Sequence, residues 1–336
     1  MKPPADLDVA LDTSALALSR AGTARYVQGL LDALAGQPDL RVRETAFRAR
    51  SRLAVPIRDV GWYLGALPLL ARGADVLHCP TIRAPVRSPV PLVVTVYDLA
   101  VVRHPEAFNA WARHYARAVL PRVVRTATRL IAISEFTARE LTDVLGVPTE
   151  KIRVVPLAAS DAFTAEGEAA DGDYVLAVST LEPRKNLPRL VEAFRRARLD
   201  GCELRVVGAR GWGGVEVPEG NGVRWLGEVS DAELARLYRG ARCAAYVSLY
   251  EGFGLPVLEA MACGTAVVAS DLPPVREFAR GVVSVDPRDP DSIAAGLTEA
   301  LDRRDELGRE GRTAAAAYDW ARVARETVAV YREAAG

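Results

Sequence analysis

Two carboxylates separated by seven residues, Glu251 and Glu259, sit in the run Tyr250-Glu251-Gly252-Phe253-Gly254-Leu255-Pro256-Val257-Leu258-Glu259-Ala260-Met261-Ala262. Glu259 falls in a stretch otherwise fit for a core, so its carboxylate must be paired or must accept hydrogen bonds. Sugar and ribose hydroxyls are natural donors to such a group. Gly252 and Gly254 let a backbone approach a ligand closely. Pro256 suits the first position of a helix, where its missing N–H needs no partner. The free N–H groups at that helix start form an anion site.

A second constellation is Ser179-Thr180-Leu181-Glu182-Pro183-Arg184-Lys185-Asn186. It follows a strand-like run and opens a helix at Leu187-Pro188. Two adjacent cations at a helix start make a diphosphate site: arginine grips phosphate oxygens bidentately, and lysine adds a compact charge. Lys185 is one of only three lysines in the chain. A third segment, Val206-Val207-Gly208-Ala209-Arg210-Gly211-Trp212-Gly213, reads as a strand followed by a glycine-rich loop, the usual ligand edge of an α/β sheet. Ser230 reads as the cap of a helix beginning at Asp231.

Taken together these strings resemble the retaining nucleotide-sugar glycosyltransferases of the glycogen-synthase-like class, glycosyltransferase family 4. The resemblance covers nearly the whole chain and is densest from Ser179 to Asp286. It implies a GT-B fold, an α/β architecture of two Rossmann-like parallel-sheet domains facing across a cleft. It also implies the site. Glu251 orients the donor sugar, and Glu259 accepts the ribose hydroxyls. Arg184 and Lys185 hold the diphosphate, with Thr180 standing where many members carry the arginine. Gly252, Phe253, Gly254 and Leu255 form the turn over the donor, while Gly208 and Arg210 border the base. In the first half, Arg20-Ala21-Gly22-Thr23 corresponds to a glycine-rich loop near the donor phosphates, of which only Gly22 is kept. That counts against a dinucleotide oxidoreductase. Thr95-Val96-Tyr97-Asp98-Leu99 matches a strand end that usually carries histidine where this chain has Tyr97. A phenol does not carry a proton near neutral pH as imidazole does. The change is tolerated, or it shifts specificity, or it lowers activity. Of the three histidines, His78 and His104 are read as structural and His114 as a surface residue.

The elements that must position these groups alternate regularly. Strands are predicted at Leu7–Leu11, Val42–Phe47, Asp75–His78, Leu92–Val96, Leu130–Ile133 and Ile152–Val155. They recur at Tyr174–Val178, Glu203–Val207, Val223–Trp225, Ala244–Val247, Ala266–Ala269 and Val282–Val285. Helices are predicted between them, including Thr23–Ala35, Trp111–Thr126, Phe136–Leu145, Leu187–Arg198, Asp231–Arg239 and Ser292–Leu301. Such alternation gives parallel sheets covered on both faces. The small, polar, acidic stretch 158–172 is a boundary. The expected division is residues 1–165, an acceptor-side domain, and 166–318, a nucleotide-sugar domain. A final segment, 319–336, is amphipathic, and by the resemblance its helix crosses back to the first domain.

The 336 residues suffice for two cores, and half are hydrophobic. The formal net charge of zero removes a global electrostatic case for nucleic acid. No apolar run approaches a bilayer span, and Met1 to Asp6 lack a signal core, so the expected location is cytoplasmic. Cys79, Cys202, Cys243 and Cys263 are scattered and read as reduced, buried thiols. Arginines crowd at Arg41, Arg43, Arg48, Arg50, Arg52 and Arg58, and again around Trp111 from Arg113 to Arg129. Basic residues interleaved with Trp and Leu suit a peripheral contact with the inner face of a membrane, and equally a solvated helix face.

The function expected is hexosyl transfer from a nucleoside-diphosphate sugar to the hydroxyl of a glycan, lipid-linked or natural-product acceptor. Mannose or rhamnose is weakly favoured as the sugar. No cofactor and no metal are expected. Two other readings stand beside it: a sugar-nucleotide epimerase on the same scaffold, and a catalytically weak nucleotide-sugar-binding partner subunit, for which Tyr97 is the motive.

Overall fold

A computed structural model describes residues 6–18, 22–48, 57–211, 213–217 and 220–336. Met1 to Ala5, Arg20, Ala21, Arg50, Arg52 and Trp212 therefore lie outside the described residues. The chain divides into two compact units, Met1–Ala158 with Asp319–Gly336, and Ala159–Tyr318.

The first unit is built on a six-stranded sheet. Its strands are β1 (Leu7–Asp12), β2 (Leu40–Thr45), β3 (Val76–Cys79), β4 (Leu92–Val96), β5 (Arg129–Ala132) and β6 (Ile152–Val154). They lie in the order β2-β1-β3-β4-β5-β6, and every pairing is parallel. β3 and β4 are buried along their whole length, as strands covered on both faces must be. One core layer packs Leu77, Val94, Val96, Leu120, Val123 and Leu130. The other face is covered by the helices Gly22–Ala35 and Trp320–Ala335, which pack on each other. Asp319 caps the second of these by accepting from Arg322 N at 2.6 Å. Gly29 lets the two come close, since a Cβ there would lie 2.2 Å from the Trp320 ring. The terminal helix thus belongs to the first unit. Its Tyr331 hydroxyl meets His78 Nδ1 at 2.7 Å beneath the sheet.

The second unit repeats the scheme with β7 (Tyr174–Val178), β8 (Glu203–Val207), β9 (Val223–Gly227), β10 (Cys243–Tyr246), β11 (Val267–Ser270) and β12 (Val282–Val285). Their order is β12-β11-β10-β7-β8-β9, again all parallel. The order reverses between β7 and β10, so the helices that follow these two neighbours pack on opposite faces of the sheet. A crevice opens at such a switch point, outside the carboxyl ends of the strands.

Among the departures from the sequence expectation, besides the unpredicted helix Arg304–Ala315, are two helical stretches of the first unit. Trp111–Thr126 is two helices, Ala110–Ala118 and Leu120–Thr126, because Pro121 cannot donate to the preceding turn. A π-wound segment, Ile57–Ala66, runs into a short helix, Leu67–Leu70, where no helix is predicted.

Candidate active site

The loop after β7 and the loop after β10 meet at the switch point of the second unit. Pro183–Lys185 forms a single 3-10 turn, and Asn186 follows in the left-handed region with φ 60° before the helix Leu187–Ala197. Asn186 is buried, and its Nδ2 donates to Val247 O (3.0 Å) and Pro287 O (2.6 Å). Leu249 N donates to Arg184 O at 2.8 Å. These bonds stitch the two loops together and fix where Arg184 and Lys185 point.

Both cations converge on Glu251. Lys185 Nζ is 2.6 Å from Oε1 and Arg184 Nη1 is 3.1 Å from Oε2. Lys185 also donates to the Tyr246 hydroxyl at 2.8 Å, and its Nζ lies 5.1 Å from that ring's centroid. Arg184 Nε stands 2.8 Å from Oε1 of Glu182, which is 2% exposed, and its Nη1 donates to Tyr250 O at 3.0 Å. The cluster therefore balances two cations with two carboxylates. Burial alone would raise the Glu251 pKa, but Lys185 and Arg184 outweigh it and bring it down to about 2. Lys185 does not answer symmetrically. Burial lowers its pKa, and Glu251 offsets this only in part, with Arg184 adding to the depression. Glu251 is ionised, held by two close ion pairs.

Glu259 lies in the helix Leu255–Ala262, 1% exposed, with the Tyr238 hydroxyl 3.5 Å from its Oε2. Gly254 caps that helix with φ 111°, a conformation glycine adopts without strain. The helix starts at Leu255, so Pro256 is one residue further in than the sequence suggests. Phe253 turns away from solvent. Its ring stacks on Phe278 at 4.5 Å and meets Tyr318 at 6.2 Å, which leaves its backbone as what it can offer a ligand. Gly252 is buried and Leu255 half-buried in the same turn.

The neighbouring loops after β7 and β8 run side by side. Ser179 N donates to Val207 O and Leu181 N to Ala209 O. Gly208 is required for this approach, because a Cβ there would lie 1.9 Å from Ser179 O. Thr180 is half-buried, with its methyl against Gly211. Arg210 is exposed, and its guanidinium lies over the Trp225 ring at 4.7 Å. Ser230 caps its helix as predicted, accepting from Glu233 N at 3.2 Å.

The first unit holds the remaining expected residues. Tyr97 does not present a free hydroxyl: it donates to Pro80 O at 2.8 Å, the ring packs edge-on to Tyr26, and burial raises its pKa well above the ordinary value. It keeps its proton near neutrality and cannot shuttle one, and what its hydroxyl retains for a ligand is acceptor capacity. Asp98 Oδ1 accepts from Ala100 N at 2.9 Å, which starts a short helix. Gly22 is the first residue of Gly22–Ala35, with open space where a Cβ would be. His78 is fully buried between Tyr331 and Thr95, and burial lowers its pKa to about 3, so it is a neutral structural residue. His104 lies 3.4 Å from Glu106, and His114 is exposed beside Trp111. All four cysteines are free and buried.

Two members of the Glu251 cluster escaped the sequence reading, Glu182 and Tyr246, and in the first unit so did a buried acid, Asp12. Asp12 ends β1 at the reversal between β1 and β3, 2% exposed, and accepts from Tyr63 Oη at 3.0 Å. Burial raises its pKa, with Ser14 opposing. An acid after an apolar strand was the available signal for Asp12; Glu182 lay inside a string whose cations drew the attention.

Comparison with known proteins places these features. The description "Glycosyltransferase Family 4" matches residues 14–161, and "Glycosyl transferases group 1" matches 160–318. The O-antigen chain mannosyltransferase B of Escherichia coli is 31% identical over 268 residues, covering 71% of this chain and 70% of that protein. A D-inositol 3-phosphate glycosyltransferase of Geodermatophilus obscurus is 36% identical over 282 residues, covering 74% of this chain and 62% of that protein. The chain thus spans somewhat less than two thirds of the second relative. A sucrose-phosphate synthase from Thermosynechococcus elongatus superposes with a TM-score of 0.76 at 20% identity, covering 97% and 98% of the two chains, which speaks to the fold. The chain belongs to the family 4 glycosyltransferases and has their two-domain α/β GT-B fold. It is a hexosyltransferase.

Proposed function

We propose that the protein transfers a mannose-like hexose from a nucleoside-diphosphate sugar to an acceptor hydroxyl, with retention of anomeric configuration and without a divalent metal. The observation that carries this reading is the buried convergence of Arg184 and Lys185 on Glu251 at the switch point. Two cations so placed supply the countercharge a diphosphate leaving group needs, which is the work a metal does elsewhere. The N–H groups between Glu251 and the helix Leu255–Ala262 add to it.

In this reading Glu251 takes hydroxyls of the donor sugar and Glu259 those of the ribose. The bond from the anomeric carbon to the diphosphate oxygen breaks on the face where the acceptor arrives. The acceptor oxygen bonds to that carbon, and its proton passes to the departing phosphate oxygen. No separate base is required, which suits a Tyr97 already committed to Pro80. The mannose preference is supported by the likeness to the Escherichia coli mannosyltransferase. The acceptor is proposed as a glycan or lipid-linked hydroxyl.

Calorimetric binding of GDP, UDP, dTDP and ADP in EDTA, on the natural protein and on Lys185→Ala, tests the reading. GDP should bind tightly without metal, and the variant should lose at least about tenfold in affinity. Failure of every diphosphate to bind in EDTA would sink the metal-free mechanism. Product anomers from the matching sugar donor, read by NMR, decide retention.

A further inference from the structure

All six large hydrophobic side chains that are exposed among the described residues fall in one neighbourhood of the first unit. Five lie on the helical run from Ile57 to Leu70: Ile57 (63% exposed), Val60 (53%), Leu64 (43%), Leu69 (57%) and Leu70 (51%). The sixth, Trp111 (39%), is tied to the same run, its Nε1 donating to Asp59 Oδ2 at 2.9 Å. This run has already buried one apolar face, since Trp62, Tyr63 and Leu67 are in the core. A helix apolar on two faces is one that is covered on both, and scattered single exposures would not concentrate this way.

Within the ridge and the helices Ala110–Ala118 and Leu120–Thr126 every exposed charge is positive. Asp59 is the single acid of Ile57–Leu70. It is 2% exposed, with Arg58 Nη2 at 2.8 Å and Arg83 Nε at 3.2 Å. The helices Ala110–Ala118 and Leu120–Thr126 contain no Asp or Glu, and their Arg113, Arg117, Arg122 and Arg125 are exposed. Arg72 is exposed just beyond Leu70. The first arginine crowd noted in the sequence contributes differently: Arg43 pairs with Asp8 at 2.7 Å and Arg58 is buried. Among the described residues no helix is long and apolar enough to cross a membrane.

We propose that this ridge seats the protein on an anionic lipid bilayer. The aliphatic side chains and Trp111 enter the interfacial layer, and the arginines face the headgroup phosphates. A second copy of the chain is a poorer occupant. A two-fold contact on this surface would set its arginines against their own images. The inference is independent of the donor reading, which is carried by Arg184, Lys185, Glu251 and Glu259 of the second unit, so either can fail alone.

The test is flotation of the full chain with vesicles of phosphatidylcholine containing about one third phosphatidylglycerol, and with phosphatidylcholine alone, at roughly 0.1 M salt. The natural protein should float with the anionic vesicles and not with the neutral ones. Ile57→Ser/Val60→Ser/Leu64→Ser should lower the partition by at least about 30-fold, and Arg113→Gln/Arg117→Gln by about 10-fold or more. Thermal melts and nucleotide binding of both variants should match the natural protein, because the altered side chains are exposed. Equal flotation of the natural protein and the triple variant would overturn the proposal, as would equal binding to both vesicles or none to either. A dimer in sedimentation that the triple variant dissolves would also overturn it and assign the ridge to a second copy.

Discussion

Replacing Glu251 by glutamine removes one negative charge and keeps the shape. It leaves Lys185 Nζ, now 2.6 Å from a carboxylate oxygen, facing an amide, and leaves Glu182 to balance two cations. The lowering of the Glu251 pKa from 4.5 to about 2 corresponds to about 3 kcal/mol favouring the folded, ionised state. The sign is that of a depressed acid: this stability is fully present above the unfolded value near 4.5 and is lost as pH falls towards 2. Glu251→Gln should therefore melt roughly 6–12 °C lower at neutral pH, and the gap should close as pH drops through that window. The same change leaves the site net positive, so GDP should bind about tenfold tighter while sugar transfer falls at least about a hundredfold. Melts followed by circular dichroism at several pH values, together with calorimetry and a product assay, read all of this. An unchanged melt with unchanged GDP affinity would refute the account of Glu251 as countercharge to Lys185 and Arg184.

Two further substitutions probe how the site is held. Tyr246→Phe removes the hydroxyl that accepts from Lys185 at 2.8 Å, so the buried ammonium loses a partner and its pKa drops further. GDP affinity should then fall off at lower pH on the alkaline side than in the natural protein, and coincident profiles between about pH 7 and 10 would count against this role. Gly208→Ala drives a Cβ to 1.9 Å from Ser179 O, so the paired loops must part. About 2 kcal/mol of stability should be lost in urea unfolding, with weakened nucleotide binding, and a fully stable variant would show that the loops have slack.

The strands were legible because parallel strands covered on both faces are written as short β-branched runs, and all twelve lie within two residues of expectation. The helix Arg304–Ala315 was not. Its one large buried apolar residue is Leu307, and it packs through Gly308 and Gly311, where a Cβ would meet Gly264 O at 2.3 Å and Met261 Cγ at 3.2 Å. Close backbone packing leaves no hydrophobic period to read. The Ile57–Leu70 run hid for the opposite reason: apolar side chains on both faces, with Gly61 and Gly65 between, erase the contrast a periodicity needs. Within the site, Glu251, Arg184 and Lys185 announced themselves through local strings. That Glu182 and Tyr246 complete the cluster depends on β7 and β10 being neighbours, a pairing across more than sixty residues that no local pattern encodes.

That pairing also bears on how a donor enters. The cluster is already neutral, so a diphosphate arriving alone competes with Glu251 for Arg184 and Lys185. A complete donor brings sugar hydroxyls as well. In the proposed reaction these satisfy the Glu251 carboxylate as the phosphates take its cations, and one set of charge-assisted bonds is exchanged for another. The natural protein should therefore prefer the intact nucleotide sugar to the bare diphosphate, and Glu251→Gln should reverse the order. Affinities for GDP and for a non-hydrolysable GDP-sugar, measured on both proteins, give four numbers whose double ratio isolates the exchange. A double ratio near one would mean that Glu251 holds its cations whether or not a sugar is present. Its part would then be structural, and orientation of the donor sugar would have to come from another group.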